Sequence, residues 1–206
     1  MFTGIIEAIG TVESIEERGG DRRLRFATGD LDLTDVQPGD SIAANGCCLT
    51  AAALTANGFI ADLSTETLAL TTTSDWQAGT RVNLEKSLTP QMRLGGHLVS
   101  GHIDGVAEVL SRESSARAET FWLAAPPALA RYIARKGSVT IDGTSLTVNA
   151  VDGPRFCLTI IPHTLEKTII ADYRPGTRVN LEVDLIARYL ERLHQSDCAP
   201  PPEKPV

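Results

Sequence analysis

The chain has 206 residues, room for one large domain or two of about 100, and its 42% hydrophobic and 22% charged content is that of a water-soluble globular protein. Aromatic residues make up only 5%, so a core has to rest on Val, Ile, Leu and Ala. A formal net charge of −7 argues against a nucleic-acid partner, and no apolar run approaches the roughly 20 residues that cross a bilayer, so no membrane partner is expected either.

At the N-terminus, MFTGIIEAIG has neither a basic segment nor a signal-peptide core, and a cytoplasmic location is read from it. TGIIEAIGTVESI is β-branched and alternating, the pattern of a strand. Turn signals at GGD, QPGD, ANG and DWQAG divide the rest of the first half into further short strands, and LDLTDVQPGD reads as a turn. SIAANGCCLT, residues 41–50, contains Cys47 and Cys48 side by side, an arrangement that opposes bridging. Cys157 and Cys198 complete the set without a CxxC, so neither a disulfide framework nor a zinc site is expected. SLTPQMRLGG is a linker by its Pro and double Gly. Next, GGHLVSGHID carries His97 and His102, whose odd separation sends them to opposite faces of a strand and makes them poor joint metal ligands.

From here the chain repeats itself. Gly4 and Gly101, Ser41 and Ser138, Gly46 and Gly143, Leu49 and Leu146, Thr50 and Thr147, Phe59 and Phe156 all stand 97 positions apart, and GTRVNLE occurs at 79–85 and again at 176–182. A constant offset means two copies of one fold. The expected organisation is a first barrel over 1–97, including a linker at 89–97, a second barrel over 98–185, and a C-terminal helix and tail over 186–206. Short strands at this spacing suggest small antiparallel barrels or sandwiches. Within the second copy, PPALARYIARK, 126–136, opens with Pro and predicts a helix. After it, DLIARYLERLHQ, 184–195, sets Ile186, Tyr189, Leu190 and Leu193 on one helical stripe, with Asp184 as cap. That stripe must be covered by its own barrel or by another copy of the chain. CAPPPEKPV reads as disordered.

The copies differ where chemistry is expected. In an extended run after Gly46, Cys48 and Thr50 share one face and Cys47 and Leu49 the other; Ser145 and Thr147 repeat this in the second copy. With the leucines inside, the Cys48/Thr50 and Ser145/Thr147 pairs face outward as matched hydrogen-bonding walls. His102 stands where the first copy has Ile5, Lys136 replaces Gly39, His163 replaces Glu66 and Asp184 replaces Ser87. The halves are thus alike in shape and unlike in acid–base chemistry.

MFTGII, NGCCLT, GGHLVSGHID, KGSVTIDGTSLT and the GTRVNLE repeat together resemble the riboflavin synthase family, alpha-chain type, over essentially residues 1–190. The resemblance implies an all-β fold of two tandem six-stranded antiparallel Greek-key barrels plus a C-terminal α-helix that builds a homotrimer. It implies the transfer of a four-carbon unit between two molecules of 6,7-dimethyl-8-ribityllumazine, giving riboflavin and 5-amino-6-(ribitylamino)uracil, with no cofactor. It also implies that each site forms between the first barrel of one subunit and the second barrel of another.

Carried over by position, Gly4, Ile5 and Ile6 are expected to line the first pocket with Cys48, Leu49, Thr50, Asp62, Leu63, Ser64, Thr65, Glu66 and Thr67. Gly101, His102 and Ile103 are expected to line the second with Lys136, Ser145, Leu146, Thr147, Ile160, Ile161, Pro162, His163, Thr164 and Leu165. Phe2, Thr3, Ser41 and Asp184 are expected nearby. His102 is the leading base, with Thr147 as relay; Ser145, Cys48 or a water is the group that adds to an activated ring carbon; Asp184 and Lys136 fix the ring and ribityl chain. The rival reading is a lumazine- or flavin-binding protein without catalysis. A ligand-free β module and a flavin-reductase barrel are weaker, and association with lumazine synthase is a partner that the sequence alone leaves open.

Overall fold

The structure, a computed structural model, describes residues 1–115 and 117–197. Cys198 and the tail expected to be disordered lie outside the described residues. In the first copy, β1 (Ala8–Arg18), β2 (Asp21–Ala27), β3 (Ser41–Ala44), β4 (Cys47–Thr50), β5 (Ala53–Thr55), β6 (Gly58–Leu63) and β7 (Arg81–Lys86) form one antiparallel sheet in the order β4-β3-β7-β1-β2-β6-β5, with α1 (Thr65–Leu70) after β6. The two edges are pieces of a single strand position, parted only by Ala51 and Ala52. The Ala52 N–H still donates to the Ile60 carbonyl at 2.8 Å, so the sheet curls back on itself.

In the second copy, β8 (Gly105–Ser115), β9 (Ala118–Ala124), β10 (Ser138–Ile141), β11 (Thr144–Asp152), β12 (Arg155–Ile160) and β13 (Arg178–Val183) close into a six-stranded barrel, β10-β11-β12-β9-β8-β13, with α2 (Pro162–Lys167) after β12. Here β11 runs unbroken through the position where β4 and β5 part, taking up the irregularity as a register shift between Val148 and Ala150. The step from β9 across the barrel to β10 is a Greek-key connection.

The scarce aromatics are drawn inward. All five phenylalanines, Phe2, Phe26, Phe59, Phe121 and Phe156, are fully buried. Phe26 stacks on Phe59 with centroids 4.8 Å apart in the first core, and Phe121 meets Tyr173 edge-on at 6.2 Å in the second. The cores are therefore not purely aliphatic, as composition alone suggested.

The helix expected over 126–136 is absent. The segment holds one short 3₁₀ turn, Ala130–Tyr132, built on i to i+3 bonds such as Leu129 to Pro126 and Tyr132 to Leu129. Pro126 and Pro127 remove two backbone donors, and the segment instead lays Leu129 and Ile133 into the barrel core. The C-terminal helix, α3 (Leu185–Asp197), forms as expected, with the Ile186 N–H donating to Asp184 Oδ1 at 3.0 Å. It docks on the second barrel through polar groups: Arg188 pairs with Asp104, and Glu191 meets Tyr132 and Arg131. Its stripe of Ile186, Tyr189, Leu190 and Leu193 is 61–65% exposed.

The two barrels are joined by the repeated GTRVNLE run. Val82, Leu84, Val179 and Leu181 point into their own cores. The residues between them point outward. Asn83 Nδ2 donates to the Asp142 carbonyl at 2.9 Å and its Oδ1 accepts from the Ile169 N–H at 2.8 Å. Asn180 does the same in reverse, to the Asn45 carbonyl and from the Thr72 N–H. Arg81 pairs with Asp172 and Arg178 with Asp75. Each contact has a mate 97 positions on, so the barrels are related by a pseudo-two-fold axis.

Candidate active site

The segments preceding β1 and β8 are exchanged across that axis. Phe2 and Val99 pair through reciprocal backbone bonds of 2.8 and 3.1 Å. Glu85 Oε1 accepts from the Thr3 N–H (2.7 Å) and hydroxyl (2.6 Å), and Oε2 from the Gly4 N–H at 3.0 Å. Glu182 holds Ser100 and Gly101 the same way. Burial pushes both carboxyls above their usual range, against the opposing pull of these donors.

The carbonyls of Gly4 and Gly101 serve the other barrel: Gly4 O accepts from the Ser145 N–H and Gly101 O from the Cys48 N–H, both at 2.8 Å. This corrects the grouping expected from sequence. Gly4 lies with Ser145 of the second barrel, and Gly101, His102 and Ile103 with Cys48 of the first. The approach requires glycine: Gly4 and Gly101 have φ of +76° and +79°, and a Cβ would sit 2.6 Å from Ser145 Cβ and 2.7 Å from Cys48 Cβ respectively.

Against the first barrel this leaves a cavity of about 280 Å³, lined by Cys48, Glu66, Thr67, Thr71, His102 and Ile103 among others. The strand alternation expected around Gly46 holds. Cys47 and Leu49 are buried, Cys48 is half-buried and Thr50 exposed. Burial drives the Cys47 thiol up to about 12, which makes it inert; Cys48 is the thiol that faces the cavity. From the expected 62–67 segment, Glu66 and Thr67 reach the cavity. The others are not brought to it: Asp62 is held by Arg23 through two bonds of 2.6 Å, Leu63 lies in the core, Ser64 caps α1 by accepting from the Thr67 N–H, and the Thr65 N–H donates to Asp21. Thr147 is not among the residues that line this cavity.

On the second barrel, Ser145 is half-buried and Thr147 exposed, repeating the first. A residue that the sequence pattern did not single out as a site group sits here. The His97 ring lies with Nδ1 2.7 Å from Ser145 Oγ and Nε2 3.2 Å from Thr140 Oγ1. Burial lowers its pKa, partly offset by the Asp184 carboxylate. Glu85, Glu182, Asn83 and Asn180 were also missed, although their verbatim repetition in GTRVNLE is a signal.

Leu146 and Leu165 are half-buried and pack on the second core; Ile160 is buried in it, Thr164 is half-buried, and Ile161, Pro162 and His163 are exposed around the start of α2. Ser41 pairs with Thr50 across β3 and β4, and Ile6 is half-buried beside Ile5, which is exposed. Lys136 is exposed at a tight turn with φ of +68°, its N–H on the Val148 carbonyl. A lysine in this left-handed conformation is strained where the first copy uses Gly39.

The family described as "Lumazine binding domain" matches the chain twice, over residues 3–87 and 100–184. The riboflavin synthase of Photobacterium phosphoreum is 53% identical over 193 residues, 94% of this chain and 88% of that one. That of Brucella abortus is 45% identical, covering 95% and 98%, and that of Bacillus subtilis 41%, covering 96% and 92%. Among solved structures, LumP complexed with riboflavin superposes with a TM-score of 0.82 at 23% identity, over 89% of this chain and 99% of that one, a likeness of fold. Two lumazine-binding domains in tandem, with curated relatives at this identity over nearly their whole length, mean that the chain is an enzyme and belongs to the riboflavin synthase family.

Proposed function

We propose that the chain converts two molecules of 6,7-dimethyl-8-ribityllumazine into riboflavin and 5-amino-6-(ribitylamino)uracil, one molecule giving a four-carbon unit to the other. The observation that carries this reading is a pair of equivalent positions with unequal chemistry. Cys48 faces a cavity bounded by His102; Ser145 lies under His97. Two identical substrates need two similar pockets, and a reaction with a donor and an acceptor needs them to differ.

The substrate ring stabilises the carbanion formed at its 7-methyl group, so in this reading no metal or redox cofactor takes part. The protein holds two rings face to face, a positioning effect drawing on the ~7–11 kcal/mol that orientation can supply, and moves protons. His102, beside the first pocket, is the base for the methyl proton. Asp184 and Lys136 hold the polar edge of the second-barrel lumazine and its ribityl chain.

A homotrimer, with each site shared between chains, completes the reading. One observation favours it: the apolar stripe of α3 is left uncovered by its own barrel. Lumazine supplied alone is expected to yield riboflavin and the pyrimidine in equal amounts; a change in lumazine fluorescence with no product would replace the enzyme by a carrier.

A further inference from the structure

We propose that Thr140, His97 and Ser145 form a proton relay in which His97 is the base that activates the Ser145 hydroxyl, so that Ser145 Oγ adds to the lumazine held on the second barrel; the relay rests on the dismutation reading. Its geometry is set by the linker. Gly96 packs so closely that a Cβ would lie 2.1 Å from the Thr3 carbonyl and 2.7 Å from Ser145 Cβ, and the His97 N–H donates to that Thr3 carbonyl at 3.1 Å. Only glycine lets the chain come down here, and doing so sets the imidazole on Ser145.

Both ring nitrogens are engaged. Thr140 is fully buried on β10, with its hydroxyl 3.2 Å from Nε2. In the tautomer that the relay uses, Nε2 carries the proton and donates it to that hydroxyl, and the Nδ1 lone pair accepts from the Ser145 hydroxyl at 2.7 Å. Burial lowers the imidazole's pKa and favours this neutral, proton-accepting form. A nucleophile hydrogen-bonded to a base, which a third group orients, is the arrangement of activated hydroxyls in general.

In the step, the Ser145 O–H bond breaks and its proton goes to His97 Nδ1. The Oγ–C bond forms at the ring carbon bearing the 7-methyl group, and the displaced π pair passes into the conjugated pyrimidinedione. Expulsion of Ser145 later reverses the step and returns the proton. Among the described residues no imidazole is hydrogen-bonded to Cys48, the first-barrel counterpart of Ser145, as His97 is to Ser145. The adduct therefore belongs to the second barrel, and the lumazine beside Cys48 and His102 is the one that gives up a methyl proton.

The test uses the full chain, which must first form riboflavin from lumazine; a wild type that does not fails the dismutation reading itself and overturns the relay with it. Single-turnover riboflavin formation and lumazine binding by fluorescence are then measured for His97→Asn, Ser145→Ala, the double variant and Thr140→Val. Asn keeps a hydrogen-bonding group near the Nδ1 position but cannot hold a proton, so a purely positioning role would be rescued by it. His97→Asn and Ser145→Ala are each expected to slow turnover by about 10²–10³-fold with binding retained, and the double variant to be no slower than Ser145→Ala. Thr140→Val is expected to lose about tenfold while still binding lumazine. Wild-type rates in His97→Asn, Ser145→Ala or Thr140→Val, or losses that multiply in the double variant, would overturn the relay.

Discussion

Asp142 occupies the place that Asn45 holds in the first copy, and the two do the same work. Asp142 Oδ1 accepts from the Asn180 N–H at 2.8 Å, Asn45 Oδ1 from the Asn83 N–H at 2.7 Å. Asp142 also accepts from the Tyr173 hydroxyl at 2.5 Å, and both groups are buried. Burial raises the carboxyl to about 7 despite these two donors, so the native state binds its proton more tightly than the unfolded chain. The stabilisation is complete below the unfolded carboxylate value, near pH 4, and is lost as pH rises toward 7. Asp142→Asn removes that loss while keeping the acceptor for Asn180. Between pH 5 and pH 8 thermal unfolding should show the variant gaining on wild type by on the order of 2–3 kcal/mol; an unchanged difference between the two would refute it. Residue-scale chemistry was legible in the sequence where strand alternation dictates it, as for Cys48 and Thr50. It was not legible for His97, which lies in a linker with no period and acts only because the chain folds back over Ser145.

At the scale of elements, α3 was legible because its apolar spacing is long enough to outweigh everything local. The 126–136 segment was not, since Leu129 and Ile133 at helical spacing are equally served by a turn that seals the barrel end. The interruption between β4 and β5 also escaped pattern reading: a strand broken by two residues and a strand with a bulge leave the same sequence period. The exposed stripe of α3 makes a direct prediction. Its polar flank is already committed to Asp104, Tyr132 and Arg131, so the helix should remain docked when the stripe is made polar. If the stripe is the contact of the proposed homotrimer, Leu190→Glu with Leu193→Glu should lower the sedimentation mass to that of a single chain and reduce turnover, while far-ultraviolet circular dichroism stays as in wild type. An unaltered mass would overturn that assignment.

For the whole molecule, the repeat offset disclosed two like barrels but not how they meet, because contacts between copies leave no trace in either copy's periodicity. The meeting surface rests on buried amides more than on its ion pairs. Asn83→Ala strips partners from the buried Ile169 N–H and Asp142 carbonyl and should cost about 2–4 kcal/mol. Arg81→Ala removes a half-exposed pair and should cost under about 1 kcal/mol in chemical denaturation; equal losses would mean that the charges govern the interface. Where the active sites lie relative to chains can be read from mixing. Thr67 lines the first-barrel pocket on α1, and Thr164 is its equivalent on α2. Thr67→Trp and Thr164→Trp should each fill one pocket and abolish turnover whatever the identity of the base. If a site joins the first barrel of one chain to the second barrel of its neighbour, co-assembly of the two dead variants restores sites in which both halves are open, about a quarter of the total when chains mix freely in a closed ring. Sites contained within one chain would leave the mixture as inactive as its components, because every chain would then carry one filled pocket of its own pair.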